Sequence, residues 1–174
     1  MPDNRELTVL WRAFVPKWSH LPLSGEGAAR FGGRWNPIGV PAIYAALELS
    51  TAWAEYNQGF VQHPAMVVQL ELRGGKIADF TDPSVLSRFG VDEDIHLSEW
   101  RQERDTGTYP TTHRLYDRLN SESYDGVRYP SFMSRGGTCL VLWHWNEPNR
   151  AILRAVDPEG RLPETTSSWP NRQK

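Results

Sequence analysis

Gly32-Gly33-Arg34-Trp35-Asn36-Pro37-Ile38-Gly39 is poor material for a core and good material for a shaped pocket. Glycine lets the backbone approach a ligand closely and take positive φ. Arg34 offers a planar fork of donors suited to phosphate or carboxylate. The ordinary reading of such a motif is a surface turn between two strands, with Trp35 as a core plug. The residues around it argue for more. Pro41-Ala-Ile-Tyr44-Ala-Ala follows at once and reads as a short apolar strand over residues 42–46. A helix opening at Glu48 or Ser50 then runs to about Gly59, with Leu49, Ala52, Trp53, Tyr56 and Phe60 recurring at helical spacing as one apolar stripe. At 100° per residue Glu55 falls beside that stripe, next to Ala52, where a carboxylate can border a cleft.

Upstream, Leu7-Thr-Val-Leu-Trp-Arg-Ala-Phe14 is rich in β-branched and aromatic residues and stops at Pro16, which predicts a strand with Arg12 near its end. Residues 16–33 hold Pro, Ser and Gly with little periodicity and read as a long, functional loop. Downstream, Met66-Val-Val-Gln-Leu-Glu-Leu-Arg73 reads as a strand turning at Gly74-Gly75, and residues 77–80 as another. Residues 83–89 read as a brief helix capped by Asp82 or Thr81, and 94–103 as a polar, weakly helical stretch. Residues 111–120 form a helix after Pro110, with Leu115, Tyr116 and Leu119 turned inward. Strands follow at 127–129, 138–145 and 151–156. Helices and strands mix without regular βαβ alternation, so the expectation is an α+β fold, a single domain with a mixed or antiparallel sheet and flanking helices. Its extent is taken as residues 1–157, with a core at about 7–156, followed by a polar tail over 158–174.

A chain of 174 residues suits one domain with a real core, and 39% hydrophobic with 23% charged residues describes a soluble globular protein. Eight tryptophans are the compositional oddity and favour stacking pockets as well as core. A formal charge of -2 gives no general attraction to nucleic acid. Charge is uneven, with Arg5, Arg12, Lys17, Arg30 and Arg34 early, and Asp92, Glu93, Asp94, Glu99, Glu103 and Asp105 as an acidic, solvated middle. The single Cys139, inside Thr138-Cys-Leu-Val-Leu-Trp143, reads as a buried small hydrophobe. No leader-like start and no apolar run near eighteen residues is present, so the expected setting is cytoplasmic, with no membrane.

The five histidines lie far apart without metal-ligand spacing, so no metal is expected. Neither a P-loop nor a dinucleotide-binding βαβ fingerprint is present. Ser131, in Tyr129-Pro-Ser-Phe, sits in no nucleophile elbow, and a positional role suits its hydroxyl better. What remains is Arg12, Arg34, Tyr44, Glu55 and Ser131. They supply cations for a diphosphate, an aromatic face for a ring, and a carboxylate at a helix edge. That set suits a nucleotide-sugar ligand whose glycosidic bond breaks through an oxocarbenium-like state.

Trp11-Arg12-Ala, the loop Leu23-Ser-Gly-Glu-Gly-Ala-Ala-Arg-Phe-Gly-Gly-Arg34-Trp-Asn-Pro-Ile-Gly, Tyr44-Ala-Ala, Ala54-Glu55 and Asp125-Gly-Val-Arg-Tyr-Pro-Ser131 together resemble the RES-domain family, over residues of about 7–156. The resemblance implies a fold similar to the ADP-ribosyltransferase domains of diphtheria-type toxins. It also implies the toxin of a bacterial toxin-antitoxin pair, with NAD+ as substrate and without a metal. Arg12, Glu55 and Ser131 take the positions of the namesake catalytic residues. Arg12, Arg34, Tyr44 and Ser131 take those of NAD+ contacts. The nicotinamide-ribose bond would be cleaved and ADP-ribose passed to phosphate, water or a protein. One alternative is a mono-ADP-ribosyltransferase acting on a host enzyme of nucleotide synthesis, and another is a binding module without catalysis. The implied partner is an Xre-like helix-turn-helix antitoxin that covers the active site.

Overall fold

The computed structural model describes residues 6–59 and 61–168. Its strands are β1 (Leu7–Phe14), β2 (Ile43–Ala46), β3 (Met66–Arg73), β4 (Ile77–Asp79), β5 (Gly126–Pro130), β6 (Thr138–Leu142) and β7 (Ile152–Ala155). The helices are α1 (Glu26–Phe31), α2 (Leu49–Asn57), α3 (Pro83–Phe89), α4 (Trp100–Asp105) and α5 (Thr111–Ser121). One seven-stranded sheet runs β4-β5-β6-β2-β1-β3-β7. Only β4 with β5 is parallel, so the sheet is mixed, as expected for the α+β class.

Successive residues of a strand face opposite sides, and this sheet has a core on each. Leu10 and Phe14 of β1 join Ile43, Leu70, Leu140 and Leu153 on one face. Trp11 packs on the other, with Trp35, Ala46, Tyr129, Cys139 and Val141. Burial on both faces is why Cys139-Leu-Val-Leu142 is an unbroken apolar run rather than an alternating one. The strand ends at Leu142, short of the expected 145, because the Trp143 and His144 amides turn to the Asp125 carbonyl.

The feature that positions the site is a seam. β1 pairs with β3 from Leu7↔Arg73 to Phe14↔Met66, but with β2 only at Trp11↔Ala46. The sheet therefore opens as β1 runs toward Phe14, and α2 packs over this region against β1, β2 and β6.

Two further expectations are corrected. The segment 16–33 is not all loop: it holds a short 3-10 turn, Pro16–Trp18, and the helix α1. On α2 the buried residues are Thr51, Ala52 and Asn57, whereas Leu49 and Trp53 of the expected stripe are exposed. Phe60 lies outside the described residues. The remaining elements match closely, including the Asp82 cap of α3, whose carboxylate accepts from Ser84 N at 2.8 Å. Leu115, Tyr116 and Leu119 on α5 are buried, as is Cys139. No described helix is long and apolar enough to cross a membrane.

Candidate active site

The Gly-Gly-Arg-Trp-Asn loop divides its labour. Trp35 and Asn36 are both fully buried, so for them the ordinary structural reading holds. The Trp35 indole packs on Phe80 and Tyr129, and its carbonyl accepts from Trp143 Nε1 at 2.9 Å. The Asn36 amide donates to the carbonyls of Ala28, Pro37 and Val40 at 2.9–3.2 Å. Its Oδ1 accepts from the Tyr44 hydroxyl at 2.6 Å. A buried side chain amide so fully satisfied is a structural clasp, here tying the loop to α1. Gly33 is required by close approach, since a Cβ there would overlap the Tyr44 hydroxyl and Asn36 Oδ1. From the far side α5 holds the same loop, with Thr112 Oγ1 bonded to the Arg34 carbonyl and His113 Nε2 2.8 Å from the Gly33 carbonyl. With its neighbours anchored, Arg34 is the loop residue left to face a ligand.

Glu55 is held from a different direction. Its Oε1 accepts from Ser131 Oγ at 2.5 Å, Phe132 N at 2.9 Å and Met133 N at 3.2 Å. Ser131 Oγ in turn accepts from Ser134 N at 2.9 Å and Met133 N at 3.2 Å. The hydroxyl donates to the carboxylate and its lone pairs are taken by amides, an arrangement that suits positioning better than attack. Among the described residues Oε2 of Glu55 accepts no hydrogen bond. One oxygen is pinned, and the other is available to the cleft. The Cys139 thiol lies beneath, 3.7 Å from Oε1; burial, then the Glu55 charge, pushes its pKa up, which keeps it neutral and unreactive.

The cleft consists of two adjoining cavities that share Tyr44, Glu55, Gln58 and Tyr129. One, of about 180 Å³, lies along the β1/β2 seam against Trp11, Ala13 and Ala46. The other, of about 460 Å³, is walled by Gly32, Gly33, Arg34, Phe132 and the segment 98–101. Arg34 Nη1 donates to the Ser98 carbonyl at 2.6 Å, and its guanidinium lies 5.0 Å from the centre of the Phe132 ring. Burial lowers its pKa, opposed by Tyr129, Glu55, Tyr44 and Glu99. Arg34 and Glu55 thus share one electrostatic neighbourhood, yet among the described residues they form no ion pair. Tyr44 offers the cleft its ring, because its hydroxyl is committed to Asn36 and, at 3.0 Å, to Trp35 N. Burial pushes the Tyr44 and Tyr129 phenols up, so both stay neutral.

Arg34, Tyr44, Glu55 and Ser131 therefore meet at one place, and Arg12 does not join them. β1 turns Arg12 to the same side as Leu10 and Phe14, where its guanidinium bonds the carbonyls of Pro22 at 2.6 Å and Ser24 at 2.9 Å. Burial draws its pKa down to about 10, which leaves it charged at neutral pH. It lines a separate cavity of about 350 Å³ with Phe14, Trp18 and Phe31, which among the described residues shares only Tyr56 with the cleft. Sequence reasoning missed Thr112 and His113, Gln58 in its left-handed conformation (φ 47°) at the end of α2, and the 98–101 wall. His113 was legible as a polar residue on the apolar face of α5; the others carried no local signal. Among the described residues no cluster of three or more His, Cys, Asp or Glu could hold a metal ion.

These residues define an α+β domain whose split sheet presents an anchored glutamate and a carbonyl-braced arginine to one cleft. The chain belongs to the RES-domain family, whose model matches residues 9–164. It is 30% identical over 90 residues to the NAD(+) phosphorylase MbcT of Mycobacterium bovis and of Mycobacterium tuberculosis, covering 45% of this chain and 48% of the relative. It is 43% identical over 47 residues to Toxin Res of Photorhabdus laumondii, covering 27% and 30%. The aligned part thus spans about half the length of the mycobacterial relatives. The solved M. tuberculosis MbcT-MbcA toxin-antitoxin complex contains a similar fold, with a TM-score of 0.62 at 23% identity over 88% of this chain and 85% of that one.

Proposed function

We propose that the cleft binds NAD+ as substrate, breaks its nicotinamide-ribose bond and passes ADP-ribose to phosphate. Arg34 holds the diphosphate, the Tyr44 and Tyr129 rings flank the ribosyl end, and Oε2 of Glu55 faces the positive charge that develops on the sugar as nicotinamide leaves. Ser131 orients Glu55. Arg12 acts from behind the seam, through the carbonyls of residues 22 and 24. A phosphate oxygen bonds to the anomeric carbon, the C–N bond breaks, and its electron pair neutralises the departing pyridinium. Neither step calls for a metal. The observation that carries this reading is the Glu55 carboxylate, fixed on one oxygen by a hydroxyl, two amides and a weak thiol donor in a cleft that also holds Arg34. Phosphate as acceptor is supported by the name of the mycobacterial relatives.

The biological role proposed is that of a growth-arresting cytoplasmic toxin, kept inactive by an Xre-like antitoxin over the cleft; the toxin-antitoxin complex of the fold neighbour supports a partner of that kind. The test is purified, partner-free protein incubated with NAD+ in phosphate buffer, following nicotinamide and phosphorylated ADP-ribose. Free ADP-ribose instead would make water the acceptor. A discrete labelled protein, such as a host enzyme of nucleotide metabolism, would make the chain a protein ADP-ribosyltransferase. No nicotinamide with any of the three acceptors sinks the catalytic reading.

A further inference from the structure

The larger cavity carries a second cation. Arg101, on the first turn of α4, lines the same 460 Å³ space as Arg34 and Glu55. Its guanidinium lies 5.1 Å from the centre of the neighbouring Trp100 ring. Among the described residues its side chain makes no ion pair and no hydrogen bond. Its side chain is exposed, while the backbone that carries it is held by Trp100, which is buried with its ring centre 6.1 Å from that of His113. The segment 98–101 thus does two things at once. The Ser98 carbonyl steadies the Arg34 guanidinium, and three residues on, the same segment supplies another.

We propose that Arg34 and Arg101 together clamp the diphosphate of an ADP-ribosyl ligand, which makes α4 and the turn before it a substrate-recognition element; this rests on the NAD+ reading of the cleft. A diphosphate carries two negative charges, and a single guanidinium, one of whose nitrogens is already given to a carbonyl, matches only one of them. Among the described residues neither arginine is neutralised within the protein. Glu55 and Glu99 line the cavity too, but neither forms an ion pair with Arg34 or Arg101 there. Ser98 adds a buried hydroxyl without a partner to the same wall. Glu99 sets the sign of a second effect: as a carboxylate on the wall, it opposes an incoming anion.

The test combines turnover with direct binding. Steady-state NAD+ cleavage gives kcat and KM, calorimetry gives Kd for ADP-ribose, which keeps the diphosphate, and inhibition gives Ki for nicotinamide, which lacks it. Arg101→Ala is expected to raise KM and the ADP-ribose Kd together by about ten-fold, leaving kcat and the nicotinamide Ki within about two-fold. Arg101→Lys should recover part of the loss, and Glu99→Gln should lower both KM and Kd, a sign that a purely structural role would not produce. The clamp is overturned if Arg101→Ala leaves the ADP-ribose Kd unchanged, if nicotinamide affinity falls in parallel, or if the wild-type chain binds no ADP-ribose. Failure of the catalytic reading looks different: ADP-ribose bound through Arg101 without nicotinamide release keeps the clamp and removes the chemistry.

Discussion

Ser131→Ala isolates the orientation of Glu55 from its charge. The substitution deletes the 2.5 Å hydrogen bond to Oε1 and leaves Phe132 N, Met133 N and the weaker Cys139 thiol as the carboxylate's donors. It also orphans Ser134 N. A hydrogen bond to a charged group is worth roughly 1.5–3 kcal/mol, which is about ten- to a hundred-fold in kcat if the pinned geometry is felt only in the transition state. Ser131 lines neither cavity of the cleft, so KM for NAD+ should change by less than about three-fold. The assay is steady-state nicotinamide release by both proteins, with melting curves to show that each is folded. Because Ser131 works through Glu55, adding Ser131→Ala to Glu55→Gln should cost little further activity. Undiminished kcat in the single variant, or full additivity in the double, would refute the reasoning.

Arg34→Ala should raise KM for NAD+ by about ten- to a hundred-fold with a smaller effect on kcat; a fall in kcat at constant KM would assign Arg34 to the chemical step instead. Gly33→Ala should destabilise the fold by about 1–3 kcal/mol, since the new methyl meets Tyr44 and Asn36 in a packed site, and an unchanged urea midpoint would show the loop to be looser than described. The Cys139 thiol, raised from an ordinary value of 9.0 by burial and then by Glu55, predicts a pH effect. Its folded value lies above its unfolded one, so its contribution is complete below about pH 9 and is lost as pH rises further. Cys139→Ala should therefore flatten the fall of stability between about pH 9 and 10, below the range where tyrosines join. Parallel wild-type and variant profiles by urea melts would contradict this.

Elements with their own period were legible in the sequence. β1 and β3 alternate or carry β-branched residues, α3 has Asp82 before Pro83, and α5 spaces Leu115, Tyr116 and Leu119 along one face. α1 was not, because six residues between Gly25 and Gly32 give less than two turns of pattern and are held by Asn36 and Gly39 rather than by propensity. The α2 stripe misled because Thr51 and Asn57 take buried places through tertiary contacts, while Leu49 and Trp53 face outward. At the site, Arg34, Tyr44, Glu55 and Ser131 were found as residue types. That Ser131 bonds Glu55 across 76 residues of chain, and that Arg101 shares a cavity with Arg34, Tyr44 and Glu55, is a property of the folded sheet and no local pattern encodes it. Arg12 was the instructive case. Leu10, Arg12 and Phe14 alternate against Trp11 and Ala13, so its separation from the cleft lay in the pleat.

The central claim is that the charge of Glu55 acts on a substrate that becomes cationic at the sugar. Glu55→Gln keeps the shape, and its amide oxygen can still accept from Ser131, Phe132 and Met133, so the fold and KM should be retained. Measured as initial rates of nicotinamide release from saturating NAD+, its kcat should fall by at least about a hundred-fold, the scale of losing one preorganised electrostatic contact to a transition state. A folded Glu55→Gln protein that turns NAD+ over at the wild-type rate would contradict the account.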